Sequence, residues 1–229
     1  MVTIDEAISI YQTHHSHYFL AGVNNVVCQW TKLKHLGLCD RVIDYIIYGS
    51  HQDRQVKKGY FKYKSDTLVP AEIELKKLPN ILRTYTSFED LHQEMYKRLL
   101  AIPKIGDLTI YDAALRLGFM LSPHVLPEKK VYVFAGAWEG LKNLQAYSAR
   151  LGLGLFPTPI NTPGIYDISL FTKAFGNLPS MFIEDFLCVF DNILSNLDNM
   201  EYDDLLDGIR FLGVRPSIDD CFAYNFNLK

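Results

Sequence analysis

Two stretches of the chain carry residue types suited to gripping phosphate. The first holds Arg54, Lys57, Lys58, Lys62 and Lys64, five cations in eleven residues, interleaved with Tyr60, Phe61 and Tyr63. Cations neutralise phosphates and aromatic faces accept stacked bases, the combination a single-strand or backbone-binding arm uses. A surface hairpin whose rings pack down while its lysines stay solvated would show the same pattern. The second stretch is Ile102-Pro103-Lys104-Ile105-Gly106-Asp107-Leu108-Thr109. Here one helix ends at Pro103, Gly106 pins a turn, and a new helix starts within a few residues. The first N–H groups of that helix lack intrahelical acceptors, so they can cradle a phosphate, with Lys104, Gly106 and Thr109 as the contact residues. Two helices joined by a Pro/Gly turn are also ordinary in an all-α protein.

The shape apolar-Pro-x-apolar-Gly-x-x-Thr, followed by a small-residue helix, resembles the hairpin of the helix-hairpin-helix superfamily of DNA glycosylases. In that family the hairpin precedes a strand-like apolar segment that ends in a catalytic Asp at the start of the next helix. Val131-Tyr132-Val133-Phe134-Ala135-Gly136-Ala137-Trp138 occupies the corresponding place, and the resemblance covers about residues 87–150. It implies an all-α fold and contact with a nucleic-acid backbone. The departures are chemical. The first of the two hairpin glycines is Lys104, the position of the family's nucleophilic Lys is Leu108, and that of its Asp is Ala135. Leu and Ala can neither attack a sugar nor activate a water, so base excision is excluded by residue type. No Cys cluster for an iron–sulfur centre follows. The resemblance therefore implies a catalytically degenerate, nucleic-acid-binding relative, with no catalytic residues and no cofactor.

Other groups could do chemistry, but each has a plainer alternative. His14 and His17 lie one turn apart, with His15, Cys28, His35 and Cys39 further on, yet no second tight ligand pair accompanies them. The cysteines (Cys28, Cys39, Cys188, Cys221) form no CxxC pair and sit among apolar neighbours, which predicts buried free thiols in a reducing cytoplasm. Asp198, Glu201, Asp203, Asp204 and Asp207 lack the alternating spacing and central Gly of a calcium loop. They read as a solvated helix start. No Gly-x-Ser-x-Gly elbow, phosphate loop or dinucleotide fingerprint is present. A nucleophile assembled only in space stays open, with Tyr111, Trp138 and Glu139 as candidates to line a pocket beside the turn.

Helices must position these groups. Thr3 with Glu6 makes a capping box, and Ile4, Ala7, Ile8 and Tyr11 recur at helical spacing. Helices are predicted over 18–36 and 40–48, closed by Gly37 and Gly49. Residues 49–71 lack that period, and the alternation after Gly59 reads as a short β-hairpin arm or loop near 54–64. A capped helix opens at Thr86/Ser87 with the face Phe88, Leu91, Met95, Leu99. Further helices are predicted over 109–117 (stopped by Gly118), 136–151, 164–175 and 180–197, with Asp112 and Arg116 placed as an i, i+4 ion pair. The sum is an all-α chain, one helical domain over 1–229 or two closely packed lobes, the hairpin lobe near 87–150.

The composition bounds this reading. The 229 residues carry 23 Lys+Arg and 26 Asp+Glu, a net charge of -3, with 48% hydrophobic residues. That is a folded chain, and it excludes bulk-charge binding of nucleic acid. The charge is polarised, however. Residues 32–64 hold eight Lys/Arg and three Asp (+5), whereas residues 184–207 hold eight acids and no Lys/Arg (-8). The acidic segment 184–207 would suit a basic protein partner. No run of about 18 apolar residues offers a membrane span, and the N-terminus has acids where a signal peptide has cations, which points to the cytoplasm.

Overall fold

The capping box expected at the N-terminus forms. Thr3 Oγ1 accepts the Glu6 amide at 3.2 Å, and the Glu6 carboxylate accepts the Thr3 amide at 2.8 Å. Helix α1 (Ile4–Ile10) follows and buries Ile4, Ala7, Ile8 and Ile10. It then continues as a π-helical turn, Tyr11–His15. The computed structural model describes residues 2–16, 46–47, 67, 69–78, 85–121 and 123–206. The helix expected over 18–36, most of that over 40–48, and the arm at 54–64 lie outside the described residues.

Chain contacts divide into two units: Met1–Ala21 with Glu128–Asp220, and Gly22–Pro127 with Cys221–Lys229. The stretch 87–150 is therefore shared between them. Within the described residues the chain is mostly helical, with one small antiparallel sheet.

In the second unit, α2 spans Val69–Leu75, α3 Phe88–Leu99 and α4 Asp107–Met120. The first of these starts inside the stretch expected to be irregular, because Pro70 fits a first helical turn, where a missing N–H costs nothing. At the start of α3, Ser87 is the cap that wins, its Oγ accepting the Asp90 amide at 3.2 Å. The face Phe88, Leu91, Met95 and Leu99 is fully buried, and α4 contributes Ile110, Tyr111, Ala113, Ala114 and Leu117. Phe88 meets Tyr111 edge-on, with ring centroids 6.0 Å apart. Gly118 is not a stop signal: α4 runs two residues past it. A Cβ there would lie 2.0 Å from the Val125 carbonyl oxygen. The glycine lets the returning chain touch the helix, and Val125 donates its amide to the Gly118 carbonyl at 3.0 Å.

In the first unit, β1 (Lys130–Val133) pairs antiparallel with β2 (Gly164–Asp167), Val131 opposite Tyr166 and Tyr132 opposite Ile165. The helix expected over 164–175 is thus replaced by β2, a short 3-10 turn at Ile168–Leu170, and the four-residue α6 (Thr172–Phe175). The cause is pairing: β-branched and aromatic Val131, Tyr132 and Val133 make a strand that needs a partner, and four residues are too few to show a period of two. The described residues are mostly helical, in keeping with the all-α class expected, with one small two-stranded antiparallel sheet added. Helix α5 (Ala135–Arg150) packs against α7 (Ser180–Val189) at a close crossing. A Cβ on Gly140 would stand 1.9 Å from the Leu187 carbonyl oxygen. An aromatic cluster fills the other side of α7. Phe186 and Phe190 stack at 4.6 Å, and Tyr11 and Phe175 meet Phe186 edge-on at 5.5 and 5.4 Å. The helix expected to reach 197 instead ends at Val189, and a 3-10 segment follows at Leu194–Asn199.

Candidate functional site

The turn between α3 and α4 places the sequence-derived contact residues. After Leu99 the chain tightens, with Ile102 donating to the Leu99 carbonyl at 3.0 Å and Ile105 to the Ile102 carbonyl at 3.2 Å. Ile102 and Ile105 point into the core and are 6% exposed each, which pins the turn from below. Pro103, Lys104, Gly106 and Asp107 are exposed, while Thr109 is half-buried. The Pro103 carbonyl accepts the Thr67 hydroxyl at 3.1 Å, a second tether.

Lys104 has φ 68, in the left-handed region that ordinarily favours glycine. Gly106 is the N-cap of α4 with φ -109 and ψ 179, extended backbone open to any residue. No atom lies within 4 Å of the point where its Cβ would stand. Neither conformation nor crowding within the chain requires a glycine here. No side chain caps α4, so its first amides receive no side-chain acceptor. Asp107, at the first helical position, adds a negative charge that suits the helix dipole and opposes an external anion. Leu108, half-buried next to it, offers no nucleophile.

Behind the turn, His92 is 5% exposed and stacks on Phe88 at 6.4 Å. Burial pushes its imidazole down to about 4, and the nearby Asp107 carboxylate pulls weakly the other way. On α4, Arg116 makes the expected pair with Asp112 at 3.0 Å. It also donates to the carbonyls of Ile46 and Ile47 at 3.0 and 3.1 Å, so it serves as a clamp. Tyr111 is 1% exposed, part of the core between α3 and α4. Lys142 pairs with Glu139 at 2.6 Å and stands 5.6 Å over the Trp138 ring, which accounts for both residues as a local surface cluster.

In the first unit, Ala135 takes φ 40 directly after β1 and begins α5. The strand-then-helix order expected for 131–138 is therefore present, with alanine at the strained junction. Two other sequence readings change. Cys188 is exposed, not buried: it lies off the aromatic face of α7. The acidic segment 184–207 is not one surface. Glu184 is buried, Asp185 accepts the Tyr11 hydroxyl at 2.7 Å and faces His15 at 3.7 Å, and Asp198 pairs with Arg150. Only Glu201, Asp203 and Asp204 are exposed acids among its described residues. His15 is turned inward, and burial lowers its pKa. Among the described residues no three of His, Cys, Asp and Glu stand close enough to hold a metal ion. No described helix is long and apolar enough to cross a membrane. Arg54, Lys57, Lys58, Lys62, Lys64, Cys28, Cys39, Cys221, His17, His35 and Asp207 lie outside the described residues.

Sequence reasoning missed a groove at the C-terminal end of α5. It has a volume of about 550 Å³ and is lined by Ala146, Ala149, Gly152, Phe156, Pro159 and Asn161, among others. The Gly-Leu-Gly-Leu run at 152–155 was the available signal: Gly152 and Gly154 have φ 65 and 57, marking a tight reversal after the helix.

The chain matches no protein-family model, no curated protein and no solved structure.

Proposed function

We propose that the chain is a non-catalytic nucleic-acid-binding protein that holds a phosphate backbone against the turn 102–107, with the basic segment 54–64 as a second contact. The observation that carries this reading is Gly106. It is exposed, extended and uncrowded, and it stands at an uncapped helix start beside an exposed lysine. A missing side chain that the fold does not need leaves the amide edge open to an outside group. The left-handed Lys104 supports the kinship with helix-hairpin-helix glycosylases, since it adopts the conformation a glycine would favour. Leu108 and Ala135 leave the bound strand chemically untouched.

Fluorescence anisotropy with short single- and double-stranded DNA at low salt tests the proposal. Gly106→Ser adds a favourable helix cap but fills the amide edge. It should leave thermal stability equal or higher by a few tenths of a kcal/mol while weakening binding severalfold. Lys104→Glu should weaken it further, and Asp107→Asn should strengthen it. Affinity indifferent to all three substitutions, and to Lys57→Glu with Lys58→Glu, would sink the idea.

A second reading, as a protein-interaction module, is favoured by exposed apolar residues at helical spacing in the second unit. Val69 and Ile73 on α2 are 45% and 54% exposed, and Tyr96 and Leu100 on and just after α3 are 38% and 46% exposed. Light scattering of the wild type against Ile73→Lys with Leu100→Lys discriminates: self-assembly lost in the variant supports this reading, and a strict monomer in both counts against it.

A further inference from the structure

We propose that the groove at the end of α5 binds a small planar aromatic acid, independently of the turn in the other unit. Its volume of about 550 Å³ suits a small ligand. One wall is low: Ala146, Ala149, Gly152 and Gly154 present no large side chain. The other carries Phe156 and Pro159. A flat ring fits between a low wall and a ring-bearing one better than a branched aliphatic group does.

The walls are held in place before any ligand arrives. Gln145 clasps the Ile160 main chain from both sides, donating from Nε2 to its carbonyl at 2.9 Å and accepting its amide at Oε1 at 2.8 Å. Ser148 Oγ accepts the Leu155 amide at 2.9 Å. Phe156 is fixed edge-on against the buried Phe171, with centroids 6.1 Å apart. Preformed walls of this kind reduce the ordering cost of binding.

Charge selects an acid. None of the lining residues is Asp or Glu. Lys173 stands beside the Gly154 wall, its Nζ donating to the Leu153 carbonyl at 3.2 Å and lying 3.4 Å from the point where a Cβ on Gly154 would stand. Among the described residues the other two of its three N–H bonds have no acceptor, so they can meet a carboxylate or phosphate. Asn161 lines the groove with a side-chain amide that has no hydrogen-bond partner among the described residues, and it can orient a ring substituent.

The test titrates the full chain with 2-naphthoate, its neutral twin 2-naphthamide, and octanoate, followed by calorimetry and ligand-observed NMR. 2-Naphthoate should bind more tightly than either other probe. Ala149→Trp fills the groove from an exposed helix position and should weaken 2-naphthoate at least about tenfold. Ala146→Phe serves the same purpose if the first variant melts early by circular dichroism. Lys173→Gln should weaken 2-naphthoate about fivefold, the size of one exposed ion pair, and leave 2-naphthamide unchanged. DNA binding should be untouched by all of these, which separates this site from the turn. Absence of 2-naphthoate binding at millimolar concentration, binding indifferent to the groove-filling variants, or equal binding of octanoate would overturn the proposal.

Discussion

At the turn between α3 and α4 two backbone conformations fall on unexpected residue types. The left-handed φ of 68 belongs to a lysine, and the glycine beside it is extended. The lysine costs about 1 kcal/mol relative to a residue free of the Cβ clash. Lys104→Gly should therefore hold or raise the melting temperature while reducing DNA affinity, a split that a purely structural lysine would not produce. His92 gives a second residue-scale expectation. Its folded pKa, about 4, lies below the unfolded value near 6.5, so folding favours the neutral ring. The unfolded chain binds the proton first, so this contribution is whole above pH 6.5 and falls away as pH drops towards 4. The loss is on the order of 3 kcal/mol over that window, and the buried His15 acts in the same direction. Denaturant titrations between pH 7.5 and 4.5 should show the decline, and His92→Phe should flatten it. A pH slope equal in the variant would refute the assignment.

Among the elements, two close approaches set the geometry. Gly140→Ala would drive a methyl group into the Leu187 carbonyl, and Gly118→Ala one into that of Val125. Both neighbours are backbone and cannot swing aside. Each substitution should lower stability by about 3 kcal/mol, measurable by chemical denaturation, whereas Gly106→Ala, which meets nothing, should cost 1 kcal/mol or less. These elements also show what the sequence reveals. Capping residues and the 3.6 period made α1 and α3 legible, because such signals depend on neighbours three and four residues away. The strand β2 was hidden, since its formation depends on β1, over thirty residues earlier. Gly118 read as a stop for the same reason: a glycine needed for contact with a later segment looks identical to one needed for a turn. The turn residues Lys104, Gly106 and Thr109 stand out in the sequence as a candidate site because they fall within six residues of one another. The groove does not, because its walls come from a helix and a loop brought together by bonds such as the Gln145–Ile160 clasp and the Ser148–Leu155 contact.

For the molecule as a whole, the net charge of -3 conceals a local contrast. Binding through Lys104 and the five cations of the 54–64 segment would neutralise at most about six phosphates. The slope of log affinity against log salt should then be no steeper than about -5. Asp203→Asn with Asp204→Asn, which removes two exposed acids, should raise DNA affinity at low salt and have no effect at high salt. A slope near zero would contradict any backbone-based role. Finally, the two glycines that face carbonyls do more than permit packing. They fix which residue types can stand at positions 118 and 140 in any chain that keeps these crossings, whatever happens to the surface. A helix with glycine near its end where the chain folds back, then an apolar strand and a helix with glycine in its second turn, is a signature by which a distant relative could be recognised when overall identity has faded.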